Sequence, residues 1–325
     1  MRAFTPTGLS ATNQELVTRF RAPGISESER EPTLDRLAGF VDAALKVLPS
    51  RDRLPDWHGR FGLRAPESYP EAERLASELR KLLYPGQADS PAIDLPQRLS
   101  MLDGLIVSQL KNSKYEGASV AAGGYLFIFV SPRFPARMLF TLAHELGHVV
   151  AHHSVQSAHL DLASNIGTFR NRAEGFADAF SSAFLLPSHA VGGALREIRR
   201  VIGATGDEIG DVEILILARL HGVSFDVAAR RCEDLELLPN GGAASLAEYL
   251  RKNYRSPEKR ADALQLPPRE AVHFDAVSPV LMKHVHESVA QGATSPSWIA
   301  DRLGTSIESI YETHASMSAH RASTH

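Results

Sequence analysis

The sequence predicts an α+β fold, in which a small β-sheet and its neighbouring helices are followed by a mainly helical C-terminal region. Three short apolar runs, "LIVSQL", "ASVAAGG" and "YLFIFV", lie close together and are separated by Gly, Lys and Asn. After Pro135 the apolar residues recur with the 3.6-residue period of a helix. Beyond Pro187 the segments have helical patterns, so the predicted strands are confined to the middle of the chain.

The composition is that of a globular protein with sizeable cores. Apolar residues make up 43% of the 325 residues and charged residues 22%. The formal net charge of -3 gives no overall basic field, so nucleic-acid binding would require a local patch. The single cysteine, Cys232, excludes an intramolecular disulfide and a cysteine-rich zinc site. It is compatible with a reducing compartment.

The apolar runs are too short for membrane insertion. The first twenty residues contain no apolar segment of signal-peptide length. "YLFIFV" and "ILILA" are far shorter than the roughly 20 residues that span a bilayer. We therefore expect a cytoplasmic protein without a membrane partner.

Breaks in composition divide the chain into four predicted parts. Residues 1–66 combine a helical stretch with an irregular segment rich in Pro, Arg and Asp. Residues 67–205 contain the strands and the long helices. Residues 206–240 contain two helical segments around a glycine turn, a pattern like that of a helix-turn-helix unit, and residues 241–325 form a C-terminal helical domain.

The second part has a clear order of elements. An amphipathic helix begins at Tyr69 and ends before Pro85, and a short helix, "LPQRLSMLDG", follows. The three strand-like runs then form a small sheet, which we expect to be antiparallel. The next helix places Met138, Leu142 and Leu146 near one stripe. A polar stretch separates it from "RAEGFADAFSSAFLLP", a second helix that ends at a proline.

Two histidines on the first of these helices have the spacing of metal ligands. His144 and His148 are one turn apart on the same face, about 6 Å along the axis, so both imidazoles can reach one ion. Glu145 lies about 100° around the helix from His144, beside the ion rather than among its ligands. This H-E-x-x-H pattern predicts a zinc site in which Glu145 is the catalytic base.

A catalytic zinc ion takes three protein ligands, so one more acidic or imidazole group is required. We expect Glu174 to be that ligand, while Asp178, one turn later, accepts a proton from a ligand histidine. Both could instead be ordinary exposed carboxylates of a helix. The apolar surroundings in "FADAFSSAFLLP" argue otherwise, because buried acids need partners.

Other histidines fit this site less well. His152 continues the stripe, but it lies about 12 Å from His144 along the helix, too far for one ion. We therefore exclude it from the ligands. Arg172, His159 or a tyrosine could stabilise negative charge on the substrate carbonyl, and the spacing selects none of them.

The two helices resemble the ImmA/IrrE family of bacterial regulatory metallopeptidases. The family's first block, R-x-x-F-T-L-A-H-E-x-G-H-x-x-x-H, matches "RMLFTLAHELGHVVAH", and its second block matches Glu174, Ala177, Phe180, Leu185 and Pro187. Asp178 stands where the family usually has Asn, which is similar to the E-x-x-x-D pairing of thermolysin-like enzymes. The resemblance covers roughly residues 69–238.

This resemblance implies a zincin-like domain with Zn²⁺ as its cofactor and zinc-dependent endopeptidase activity. It also implies a protein substrate, such as a helix-turn-helix repressor encoded nearby, whose cleavage serves a stress, mobile-element or phage-defence response. Glu145 would take a proton from the attacking water and later give it to the leaving amine. Fold analogy does not identify the substrate.

Two alternatives come from other functional classes. Two helix pairs, "ILILARLHGVSFDVAARRC" and "SPSWIADRLGTSIESIYE", resemble helix-turn-helix units and would suit a DNA-binding regulator. Basic patches at Arg196, Arg199 and Arg200 and in "RKNYRSPEKR" could contact DNA as an activating ligand, although such patches are more often solvated faces. The third reading is a zinc-bound, non-catalytic interaction module.

Overall fold

A computed structural model describes residues 27–61, 68–113, 115–152, 158–162 and 172–311. Before the sheet it contains four helices in the described part: α1 (Glu27–Val47), α2 (Asp56–Gly59), α3 (Tyr69–Leu83) and α4 (Leu95–Ser100). Helix α3 begins with the capping box of Ser68 and Glu71, which satisfies backbone N–H groups of its first turn. The predicted helix from Tyr69 is therefore confirmed.

The sheet has four strands in the order β1-β3-β2-β4. They are β1 (Leu105–Gln109), β2 (Tyr115–Ala122), β3 (Tyr125–Val130) and β4 (Ala158–Leu162). A two-residue turn joins β2 to β3, and its residues Gly123 and Gly124 both have positive φ angles, which glycine adopts without strain. Strand β2 is antiparallel to both of its neighbours.

The prediction of an antiparallel sheet is wrong for β1, which runs parallel to β3. Strand β1 pairs with β3 and not with β2, the next strand along the chain, and the composition of a strand does not encode that choice of partner. All residues of β3 are buried, as expected for a central strand that is covered on both faces. Strand β4 lies in the stretch that the sequence analysis described only as polar.

The helices after the sheet are α5 (Pro135–His152), α6 (Arg172–Leu185), α7 (Ser188–Ile202), α8 (Asp211–Leu220) and α9 (Phe225–Asp234). They are followed by α10 (Gly242–Tyr254), α11 (Pro257–Ala263), α12 (Pro279–Ala290) and α13 (Pro296–Leu303). The predicted α+β class, with a mainly helical C-terminal region, is confirmed.

The sheet separates two hydrophobic cores. On one face, which we call the site face, Ala121 of β2 and Ile128 of β3 pack with α3 and with helices α5 to α9. On the opposite face, the outer face, Val120 and Phe129 pack with α1, α12 and α13. Alternate residues of one strand thus contribute to different cores, as the two-residue repeat of a strand requires.

Both ends of the described chain contribute to the outer face. Helix α1 lies before the first predicted domain boundary, and α12 and α13 lie after the last one, yet all three pack on this face of the sheet. In addition, the backbone N–H of Gln109 in β1 donates to the carbonyl of Ala276 at 3.0 Å, which covers part of the β1 edge. The division at residues 66, 205 and 240 stays a prediction.

Candidate metal centre

Helix α5 is the central element of the site. It begins at Pro135, a residue tolerated in the first turn because its missing N–H would have no helical partner there. Its residues Leu139, Leu142 and Leu146 are completely buried. Because α5 packs between the site face of the sheet and α6, its histidines are held among rigid elements rather than on a loop.

The structure brings His144, His148 and Glu174 together. The two Nε2 atoms are 3.1 Å apart. The Glu174 carboxylate oxygens lie 3.4 Å from Nε2 of His144 and 3.5 Å from Nε2 of His148. Both histidines are buried, whereas the Glu174 side chain is about one fifth exposed. The cluster therefore lies at a boundary between the interior and solvent.

These separations match the spacing of ligands around one tetrahedral ion. Zinc binds nitrogen and oxygen at about 2.0 to 2.2 Å, so neighbouring ligand atoms in a tetrahedron lie roughly 3.4 Å apart. The three separations, 3.1, 3.4 and 3.5 Å, fall around that value. Two imidazoles and one carboxylate are also a ligand set of catalytic zinc sites. The residues present thus fit a zinc ion and leave one ligand position for another group.

Asp178 contacts His144 on the side of the ring opposite to the donor cluster. Its Oδ1 lies 3.0 Å from Nδ1 of His144. A proton on Nδ1 would be donated to this carboxylate, which leaves Nε2 as the nitrogen with a free lone pair. Asp178 lies one turn after Glu174 on α6, so a single helix supplies both the third donor and the carboxylate that orients the first.

Close packing between α5 and α6 makes this arrangement possible. A Cβ atom on Gly147 would lie 3.0 Å from Cδ1 of Phe180 and 3.3 Å from Cα of Ala177. Any larger residue at this position would have to displace the backbone of α6, which carries Glu174. Gly147 therefore allows the close approach of the two helices that carry the three donors.

The side chain of Glu145 lies against strand β2. Its side chain is completely buried, and its Oε2 accepts a hydrogen bond of 2.7 Å from the hydroxyl of Ser119. Its Oε1 lies next to Gly117, where a Cβ atom would come within 2.6 Å of that oxygen. The register of β2 also shifts between Tyr115 and Gly117, an irregularity of the kind found beside active sites.

Two buried histidines outside the cluster contact backbone carbonyl groups of α5 and α6, the helices that carry the three donors. Nε2 of His58 lies 2.8 Å from the carbonyl oxygen of Val149 in α5, and Nδ1 of His221 lies 3.1 Å from that of Leu185 in α6. Burial lowers the pKa of His58, and it lowers the pKa of His221 from 6.5 to about 4. Both rings are therefore neutral at pH 7 and can donate a hydrogen bond to the helix carbonyl.

Three candidate residues have side chains outside the described part of the structure. His152 is the last residue of α5, but its side chain lies outside the described part, as do the side chains of Arg172 and His159. The exclusion of His152 as a ligand stays a prediction. The backbone register does pair residue 159 of β4 with Ser119 of β2, so β4 passes beside the strand that contacts Glu145.

Sequence reasoning did not find Ser119 or Gly117 as parts of the site. A weak signal was available, because the site-face positions 117, 119 and 121 of β2 are all small residues. Small residues at alternate positions of a strand allow a helix to approach that face closely. Nothing in the sequence alone indicates that Glu145 is the residue that would meet them.

A helix that bears two histidines and a buried glutamate, next to a second helix that bears an acidic donor, is the arrangement found in metallohydrolases with an H-E-x-x-H motif. The family comparison agrees with this class. Residues 105–233 match the M78 peptidase family, described as the IrrE N-terminal-like domain. The predicted resemblance is confirmed for this segment, which matches the model of a metallopeptidase family.

No curated protein matches the chain. Among the residues that the structure describes, no helix has the length and apolar character needed to cross a membrane.

Proposed function

We propose that the chain is a zinc-dependent endopeptidase with a regulatory role. The observation that carries this proposal is the spacing of the His144, His148 and Glu174 donors, beside the buried Glu145, within a metallopeptidase-family domain. A bound zinc ion would polarise water and the substrate carbonyl and would stabilise the negative charge that develops on that carbonyl.

The residues of the chain have separate tasks in this proposal. His144, His148 and Glu174 hold the ion, and Asp178 keeps the His144 ring in the required orientation and tautomer. Glu145 takes a proton from the attacking water and then gives it to the leaving amine. Burial of Glu145 keeps bulk water away from this proton.

We infer that the substrate is a protein, for example a helix-turn-helix repressor encoded near this chain, cut during a stress or phage-defence response. The resemblance to the ImmA/IrrE family supports this inference, since that family includes regulatory peptidases with such substrates. We also infer a cytoplasmic location, because a DNA-bound repressor would be found there and the lone Cys232 is buried as a free thiol.

DNA contact remains the alternative, and its predicted surfaces differ in the charges that they expose. On α9 the exposed charged residues are Asp226, Arg230 and Asp234, which do not form a basic face. Two of the predicted basic residues, Arg199 and Arg200, form ion pairs with glutamates.

Arg251, Lys252 and Arg255 are exposed at the end of α10. Salt-dependent DNA binding that is lost when these three residues are neutralised would support DNA as an activating ligand.

The peptidase proposal is tested by co-expression with the products of neighbouring genes. The intact chain is compared with Glu145→Gln, which should keep zinc but lose cleavage, because glutamine cannot accept the proton. Glu248→Gln is a matched control, since Glu248 is an exposed residue of α10 outside the site. Fragments are identified by N-terminal labelling and mass spectrometry, and zinc is measured by elemental analysis.

We expect new N-termini with the intact chain and with Glu248→Gln, and none with Glu145→Gln. Identical fragments from all three forms, with zinc present in each, would overturn catalysis by Glu145. Absence of zinc from the intact chain would overturn the ligand assignment. Zinc in each form, with no fragments from any of the co-expressed proteins, would exclude those proteins as substrates and favour the non-catalytic module.

A further inference from the structure

The contact between Ser119 and Glu145 is a feature of the site that the motif does not contain. Ser119 lies in the middle of β2 and, like Glu145, is completely buried. Its hydroxyl donates to Oε2 of Glu145 at 2.7 Å, a distance typical of a strong hydrogen bond to a carboxylate. The two residues are 26 positions apart, so this bond joins the sheet directly to the motif.

The same strand restrains the rest of the Glu145 side chain. A Cβ atom on Gly117 would lie 2.8 Å from Cγ and 2.6 Å from Oε1 of Glu145, so the side chain rests directly against the strand backbone. Contact along the chain of Glu145 limits its rotamers, and the Ser119 hydrogen bond fixes the plane of the carboxylate. Together they hold the carboxylate in one orientation.

We propose that Ser119 is a positioning residue for the reaction: its hydroxyl holds the Glu145 carboxylate in the orientation needed for proton transfer. This inference rests on the proposed function, because it assigns Ser119 a role through the catalytic base. A base that is fixed before the substrate binds does not lose conformational freedom during the reaction. Ser119 should therefore affect the rate constant kcat more than substrate binding or zinc content.

The first test compares Ser119→Thr with Ser119→Val. These side chains have nearly the same shape and both suit a strand, but only threonine keeps the hydroxyl. Ser131→Ala is the control for loss of a buried serine, since the hydroxyl of Ser131 donates to the carbonyl of Tyr115 rather than to Glu145. For each form we would measure zinc content, thermal midpoint, and kcat and KM for a protein that the intact chain cleaves.

The second test needs no turnover. Acetohydroxamic acid binds zinc through two oxygens and shares its acidic proton with a neighbouring carboxylate. Its dissociation constant is measured for zinc-loaded intact chain, Ser119→Val, Glu145→Gln and the double variant. If Ser119 acts through Glu145, Ser119→Val should weaken hydroxamate binding about tenfold when Glu145 is present. The same substitution should have little effect when Glu145 is replaced by Gln.

We expect Ser119→Val to lower kcat about tenfold or more at unchanged KM and zinc content, with Ser119→Thr much closer to the intact chain. An equal kcat for Thr and Val, or an equal loss in Ser131→Ala, would overturn the positioning role. So would a hydroxamate effect of Ser119→Val that persists without Glu145. If the intact chain failed to bind zinc, both the proposed function and this inference would be overturned. If it bound zinc but the effects of Ser119→Val and Glu145→Gln were independent, only this inference would be overturned.

Discussion

The two faces of the sheet differ in the side chains that they present, although the same strands form both. On the site face, β2 presents Gly117 and Ser119, which leave room for α5 and contact Glu145. On the outer face, the neighbouring strand presents Phe127 and Phe129, and the ring of Phe129 meets Phe40 of α1 edge to face at 5.0 Å. The site face holds a polar site, whereas the outer face is mainly aliphatic and aromatic.

This difference indicates that one face of the sheet mainly stabilises the fold and the other accommodates the polar site. Burial of aromatic rings on the outer face stabilises the fold, because each contributes a large apolar area. The site face gives up part of that area at Gly117 and Ser119 so that a helix with polar residues can lie against it. Substitutions on the outer face should therefore lower mainly stability, and substitutions on the site face should lower mainly activity.

Loss of a metal ligand should have the largest effect. In His148→Ala, two donors remain, and we expect zinc content to fall to a small fraction of that of the intact chain and proteolysis to fall by about 10³-fold or more. Circular dichroism should still show a folded chain, since the site-face core is intact. Unchanged zinc content in this variant would mean that the ion is held elsewhere.

On the outer face we expect the opposite pattern. Phe129→Ala removes a fully buried ring and should lower the free energy of unfolding by about 3 to 5 kcal/mol. Zinc content and kcat, measured at a temperature where the variant is folded, should be close to those of the intact chain. A loss of zinc from the folded variant would show that the faces are not independent.

Lowering the pH should lower the free energy of unfolding, because His221 on the site side of the sheet becomes protonated. Burial lowers the pKa of this histidine from 6.5 to about 4, so between these pH values the unfolded chain binds a proton that the folded chain does not. His221 makes its full contribution to the free energy of unfolding above about pH 6.5. This contribution, on the order of 3 kcal/mol, is lost as the pH falls towards 4.

Urea unfolding between pH 4 and 7 checks this prediction. His221→Asn should have a flatter dependence of stability on pH than the intact chain, because the titrating group is gone. His273→Asn changes an exposed histidine and is the control. Equal slopes for His221→Asn and the intact chain would contradict the assignment.

Local sequence patterns were sufficient for the helices and for much of the candidate site. The one-turn spacing of His144 and His148 depends only on helix geometry, and the apolar period predicted that helix. Glu174 and Asp178 could be selected because they are acids within an apolar helix. The structure places all four near one another, although their roles remain proposals.

Features that depend on contacts between distant segments were not predictable in the same way. Whether β1 pairs with β2 or β3 depends on the packing of the whole sheet. Strand β4 has the alternating pattern "AHLDL", but it is only five residues long and lies within a polar stretch. The hydrogen bond from Ser119 depends on how α5 lies across β2. A serine in a small-residue strand has no signature that separates it from ordinary packing.

The smallest expected effect concerns the close contact between α5 and α6, the helices that carry the three donors. Alanine at position 147 would gain helix propensity of about 1 kcal/mol over glycine. Its Cβ, however, would lie 3.3 Å from the backbone Cα of Ala177, so α6 must move. We expect a net destabilisation of about 1 kcal/mol and a zinc affinity lowered about tenfold, since Glu174 moves with the helix.

Gly193→Ala in α7 isolates the effect of propensity, because nothing lies within 4 Å of its Cβ position. This variant should be more stable than the intact chain by about 0.5 to 1 kcal/mol, with unchanged zinc affinity. Chemical unfolding and competition with a zinc chelator measure both quantities. If Gly147→Ala were stabilised as much as Gly193→Ala and bound zinc equally well, the close approach of α5 and α6 would not be what positions Glu174.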